Sequence, residues 1–183
     1  RGIHIVAATN ISSVIFNLFN VVVLAMGNAI GIIVGHSLGA GKMKEAKDQD
    51  NKMLAFSIAV SLVLGAIIVL TADLFPALYN TTPEVRQVAA SFIRVAGIFL
   101  PVSSMTCSIY FTLRAGGRTV ITFLFDSVFI WVLSLPCAFV LSRFTGLPAI
   151  TIFTCVCALD FIKVIVGLIL LLKGVWIKRI VDG

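Results

Sequence analysis

Apolar residues fall in five long runs, at roughly 3–36, 53–75, 88–113, 119–141 and 147–172, parted by shorter polar segments. An α-helix rises about 1.5 Å per residue, so about 20 mostly apolar residues cross a hydrocarbon core about 30 Å thick. All five runs are long enough. The pattern predicts an all-α integral membrane protein with five transmembrane helices, forming a single transmembrane domain over 1–183. The first run is longer than a crossing needs, so one of its ends is expected at an interface. The polar segments read as connections: the lysine-rich SLGAGKMKEAKDQDNK at 37–52, PALYNTTPEVRQ at 76–87 with two prolines, the Gly-Gly turn RAGGR at 114–118, and SRFTG at 142–146.

Composition sharpens this reading. Of the 183 residues 60% are hydrophobic and 12% charged, with a mean hydropathy of +1.11. Soluble domains run at about 45–50% apolar and about 25% charged. A globule of this size could not hide so much apolar surface. A soluble enzyme, a disordered chain and a disulfide scaffold are excluded. The net charge of +6 is then read by position, with no nucleic-acid partner implied. Alternate connections share a side of the membrane. One side collects Lys42, Lys44, Lys47, Lys52, Arg114, Arg118, Lys173, Lys178 and Arg179; the other has Arg1, Arg86 and Arg143. The positive-inside rule puts the first group in the cytoplasm of a cell bounded by its inner (plasma) membrane. Arg1 is then outside and the C-terminus inside. With no initial Met and a basic tail from Lys173 to Gly183, the chain reads as a fragment that lacks its N-terminal part.

Polar residues inside the runs are the candidates for function. The first run carries Asn10, Ser13, Asn17 and Asn20 on one helical face, continued by Gly27, Gly31, Gly35 and Gly39 at G-x-x-x-G spacing. One reading is a helix lining a polar cavity and pivoting on a tight inner contact. The other is interhelical hydrogen bonding with small-residue packing. The third run has a stripe of Arg94, Gly97, Pro101, Ser104 and Ser108, with a proline that frees a backbone carbonyl. Arg94 is expected to snorkel to the headgroups. Asp126 lies about two turns into the fourth run, and Asp160 and Lys163 near the middle of the fifth. Ionised groups there cost about 2.5–3.5 kcal/mol on insertion scales, so they should face protein or a water-filled cavity. Asp160 and Lys163 are i, i+3 neighbours and can pair, either as an ion-linked pair or as a structural one. Asp126 has no local partner.

Several motifs fail. GAGK at 39–42 lacks the Gly at 36 and the Ser or Thr at 43 of a phosphate loop; His36 and Met43 stand there. Cys107, Cys137, Cys155 and Cys157 lie inside the runs without a C-x-x-C pair. No nucleophile–base pattern, cofactor motif or local metal ligation is visible, so an enzyme is not expected.

The run of small residues into a basic helix start, GNAIGIIVGHSLGAGKMKEAK at 27–47, resembles a signature of the multidrug and toxic compound extrusion (MATE) family. There G-Q-x-L-G-A-G is usual, and His36 replaces the Gln. PVSSMTCSIYFTLRAGGRT at 101–119 is similar to that family's tenth helix and its Arg-x-x-Gly turn, with Arg118 where an acidic residue is common. KGVWIKRIV at 173–181 resembles the tails of bacterial members. The resemblance implies a twelve-helix transporter of two six-helix lobes. This chain would supply helices eight to twelve, part of the second lobe, with helix seven and the whole N-terminal lobe missing. It implies an antiporter that exports organic cations or drugs against inward H⁺ or Na⁺ by alternating access. Some members bind the coupling ion through a carboxylate on helix ten, which falls here at about Ser103, a residue that cannot titrate near neutral pH, so the coupling acid is expected in the missing first lobe, with Asp126 or Asp160 as the alternative. The expected cavity residues are Asn17, Asn20 and Ser104, and the coupling or gating candidates are Asp126, Asp160 and Lys163. The expected partners are the lipid bilayer, a small organic cation and the missing lobe. Two alternatives remain: a related lipid-linked oligosaccharide flippase, which should need an arginine-rich cavity, and a non-transporting membrane scaffold subunit.

Overall fold

The computed structural model describes residues 3–177; Arg1, Lys178 and Arg179, and with them part of the charge asymmetry and of the tail motif, lie outside the described residues. Among the described residues, five helices are long and apolar enough to cross a membrane: α1 (Ile3–Gly39), α2 (Met43–Leu70), α4 (Pro83–Ala115), α5 (Thr119–Phe144) and α6 (Ala149–Leu172). A one-turn helix, α3 (Leu74–Ala77), lies in the link between α2 and α4. No strand occurs among the described residues. The chain is an all-α, multi-pass membrane protein.

The helix α4 is the hub, packing against α1, α2 and α6. Lipid tails are as apolar as leucine, so close approach of backbones replaces the hydrophobic effect as the source of helix association. Gly65 on α2 and Gly97 on α4 make such an approach. A Cβ at Gly65 would stand 2.5 Å from the Gly97 carbonyl oxygen. The small-residue series of α1 works differently: Gly27 and Gly31 leave room for the Phe111 ring of α4, Gly35 faces Ala115, and Gly39 faces open space.

Three helices end alike. In α1, α4 and α6 the chain turns at Gly41, Gly117 and Gly174, all with positive φ. The amides of Lys42, Arg118 and Val175 return to the carbonyls of Ser37, Leu113 and Leu170. This six-to-one bond with a left-handed glycine satisfies orphan carbonyls at a helix end. The three ends share one face of the bundle, where Trp176 joins Val34, Leu38 and Leu113 in a buried cluster.

The helices overrun the apolar runs. The α2 helix begins at Met43, not 53, and α1 runs to Gly39, so all of the expected 37–52 connection but residues 40–42 is helical. Its charges make i, i+3 and i, i+4 pairs, Lys42–Glu45 at 3.0 Å and Lys52–Asp48 at 2.6 Å, which support a helix standing in water. It stops at Leu70, short of 75. The α4 helix starts at Pro83, where a proline costs no hydrogen bond. The α5 helix is the irregular one. It widens into π turns at Leu124–Val128 and Ile130–Ser134, just before Pro136, which has no N–H to return to the preceding turn. It is also the least packed, with Trp131, Phe139 and Phe144 exposed.

Candidate functional site

One cavity gathers the charged groups of the fourth and fifth spans, Asp126, Asp160 and Lys163. About 340 Å³ in volume, it lies between α1, α4, α5 and α6, and its walls include Asn20, Ser103, Thr106, Asp126, Asp160 and Lys163. Tyr110 and Phe111 supply aromatic surface beside them. A second cavity, about 200 Å³, shares Ser103 and Asp160 as common wall and is lined by Phe16, Phe92, Phe99 and Phe153. Phe92 and Phe153 meet edge to face at 5.3 Å. Together the two form a groove along α4, polar at one end and aromatic at the other.

At the polar end the Lys163 ammonium donates to Asp126 Oδ1 at 2.6 Å. Lys163 is 6% exposed. Its Nζ also lies 5.3 Å from the centre of the Phe125 ring and 5.7 Å from that of Phe129. A carboxylate and two aromatic faces thus enclose one cation. Phe125 and Asp126 sit on the first π turn of α5, a widening that often re-aims side chains at functional sites.

The expected local pair of Asp160 with Lys163 does not form. Lys163 reaches across to α5 instead, because its long stem spans the interhelical gap to a carboxylate flanked by rings. Asp160 is half-buried in the groove and has neither a hydrogen-bond nor an ion-pair partner among the described residues. Asn20 lines the polar cavity. Asn17 does not: it is exposed on the outer side of α1 and lines neither cavity. Ser104 also points elsewhere. It is 1% exposed and bonded at 2.8 Å to the Ser57 hydroxyl of α2. The residue before it, Ser103, takes the place in the groove.

Ser104 belongs to a buried polar seam between α2 and α4. Ser108 donates to Ser57 Oγ at 3.2 Å, and Thr112 donates to Asp50 Oδ1 at 2.5 Å. Asp50 is 2% exposed. The stripe of Ser104 and Ser108 was visible in the sequence and Thr112 extends it by one turn; its partners on α2, Asp50 and Ser57, lie seven residues apart on one helical face and could have been found the same way. At the opposite end of the bundle, Arg94 does not merely snorkel. It bonds Asp73 at 2.5 Å, with both side chains substantially exposed.

Comparison with known proteins gives the family. The MatE family model matches residues 2–140. The chain belongs to the MatE family. A probable multidrug resistance protein NorM of Oceanobacillus iheyensis is 26% identical over 141 residues, covering 77% of this chain and 31% of the relative. A NorM relative of Deinococcus radiodurans is 29% identical over 154 residues, 81% of this chain and 34% of the relative. The multidrug resistance protein PmpM of Pseudomonas aeruginosa is 26% identical over 129 residues, 70% of this chain and 26% of that protein. The chain therefore spans about a third of the length of the curated relatives it matches. No solved structure gives a significant match.

Proposed function

We propose that this MatE chain forms helices eight to twelve of a multidrug efflux antiporter, exporting organic cations in exchange for H⁺ or Na⁺ across the plasma membrane. The observation that carries the reading is the groove. Two carboxylates, a buried lysine and aromatic walls line it within the spans, where charge is expensive and commonly marks an ion or substrate path. Aromatic faces and carboxylates are what a drug-sized cation is recognised by. The names of the NorM and PmpM relatives point the same way.

Asp160 is the coupling candidate in this reading. Ser103 stands at about the position where the family resemblance leads one to expect a carboxylate, and Asp160 shares both cavity walls with it. A carboxylate moved from one helix to its neighbour can bind the same ion at the same place. The flippase alternative has less support. Arg94, the one intramembrane arginine of the sequence, is held at an exposed end by Asp73, which leaves Lys163 as the cation in the groove wall.

The test is ethidium efflux from cells lacking their own efflux pumps and expressing the full-length transporter. Asp160→Asn should abolish most of the efflux while leaving membrane insertion intact. Efflux unchanged over a pH series and a Na⁺ series would remove Asp160 from the coupling path.

A further inference from the structure

We propose that Lys163 is a tethered competitor of the transported cation. Its ammonium holds, at Asp126, the position that an organic cation takes during export. The inference rests on the transport reading above and adds a regulatory part to the same site.

The enclosure of Lys163 is the first ground. A carboxylate oxygen at 2.6 Å and two phenyl faces at 5.3 and 5.7 Å surround its Nζ. Phe125 and Phe129 line an apolar cavity behind Lys163, and the polar cavity in front offers an organic cation the same kinds of contact, the Asp126 carboxylate and the rings of Tyr110 and Phe111. The cavity wall beyond the pair is aromatic at Tyr110 and Phe111, which favours an organic cation over a bare metal ion wanting a full shell of oxygens.

Asp160 is the second ground. It lines the same cavity, one turn before Lys163 on the same helix, and has neither a hydrogen-bond nor an ion-pair partner among the described residues. An ammonium displaced from Asp126 therefore has a second carboxylate within reach at i, i+3. It can swing on its four-carbon stem without entering the apolar interior.

Charge balance is the third. With both carboxylates ionised, Asp126, Asp160 and Lys163 carry one net negative charge. A monovalent cation neutralises the site on arrival and leaves the lysine paired with Asp160. When the cation departs, Lys163 returns to Asp126 and closes the site against rebinding. A site blocked most of the time binds more weakly by the fraction of time it is free.

The experiment is equilibrium binding of tetraphenylphosphonium to the purified full-length transporter. Lys163→Met should bind it about tenfold more tightly than the wild type, as removal of a block present nine-tenths of the time requires. Lys163→Gln, which can still donate a hydrogen bond to Asp126, should show the same direction and serves if the Met variant does not fold. The gain should vanish in Lys163→Met combined with Asp126→Asn. Unchanged or weaker binding by a folded Lys163→Gln protein, as expected if the pair only fastens α5 to α6, would overturn the proposal and leave the transport reading intact. No binding or efflux by the wild type would overturn both.

Discussion

Thr112 is the hydrogen-bond donor to a carboxylate that has almost no contact with solvent. It gives its hydroxyl hydrogen to Asp50 at 2.5 Å and is itself fully buried. A buried polar group stripped of its partner costs about 1–3 kcal/mol. Thr112→Val, nearly equal in shape, should therefore lower the thermal stability of the full-length protein in detergent by an amount in that range. Thr112→Ser, which keeps the donor, should recover most of the loss. Equal melting of the Val and Ser variants would show that the hydroxyl does not hold Asp50. The same scale explains which site residues were legible. Asn20 reached the cavity but Asn17 did not: α1 gives the polar cavity Asn20, Val23 and Leu24, and Asn17, about 60° round the helix from Asn20, falls past the edge of that arc. The partner of Lys163 was not legible at all. Nothing in a linear sequence fixes the rotation of α5 against α6, and the choice between Asp160 nearby and Asp126 across the gap is made by that rotation and by the rings of Phe125 and Phe129.

Between helices, the contact of Gly65 with Gly97 sets how near α2 comes to α4, and so how the serine hydroxyls of the seam meet. A methyl at Gly65 would collide with the Gly97 carbonyl at 2.5 Å, and both partners are backbone or nearly so. Overpacking of this kind typically costs about 1–3 kcal/mol. Gly65→Ala should destabilise the protein accordingly. Gly39→Ala, where a Cβ meets nothing within 4 Å, should be neutral or slightly stabilising because helix propensity improves. Paired melting curves of the two variants give the comparison, and equal stability would mean that the two glycines do not set the spacing. The spans themselves were legible because the bilayer demands unbroken apolar helices. Their ends were not, since a helix can run on into water on ion pairs such as Lys52–Asp48, and hydropathy is blind to that continuation. The π turns of α5 were equally hidden: Pro136 marks a disturbance but does not say that the helix absorbs it by widening.

For the whole molecule, the question is whether the groove along α4 holds water and substrate or closes against neighbouring helices. Two positions on α1 separate these outcomes. Asn20 lines the polar cavity with Asp126 and Lys163, whereas Asn17, less than a turn away, faces outward from this bundle. A transport path predicts that a cysteine at 20, in a full-length protein freed of Cys107, Cys137, Cys155 and Cys157, reacts with a membrane-impermeant thiol reagent. A transported cation should slow that reaction by occupying the cavity. A thiol buried among lipid or packed side chains stays protonated and dry, so it reacts slowly whatever the cation present. The cysteine at 17 calibrates the measurement. It should react without protection by the cation if the exposed flank of α1 beside the groove meets water in the assembled transporter, and stay silent if that flank meets lipid; neither changes the expectation for position 20. Silence at 20 in a protein that still folds and inserts would mean that the groove is filled by packing. The five helices would then act as a scaffold, and the carboxylates of α5 and α6 would be structural charges.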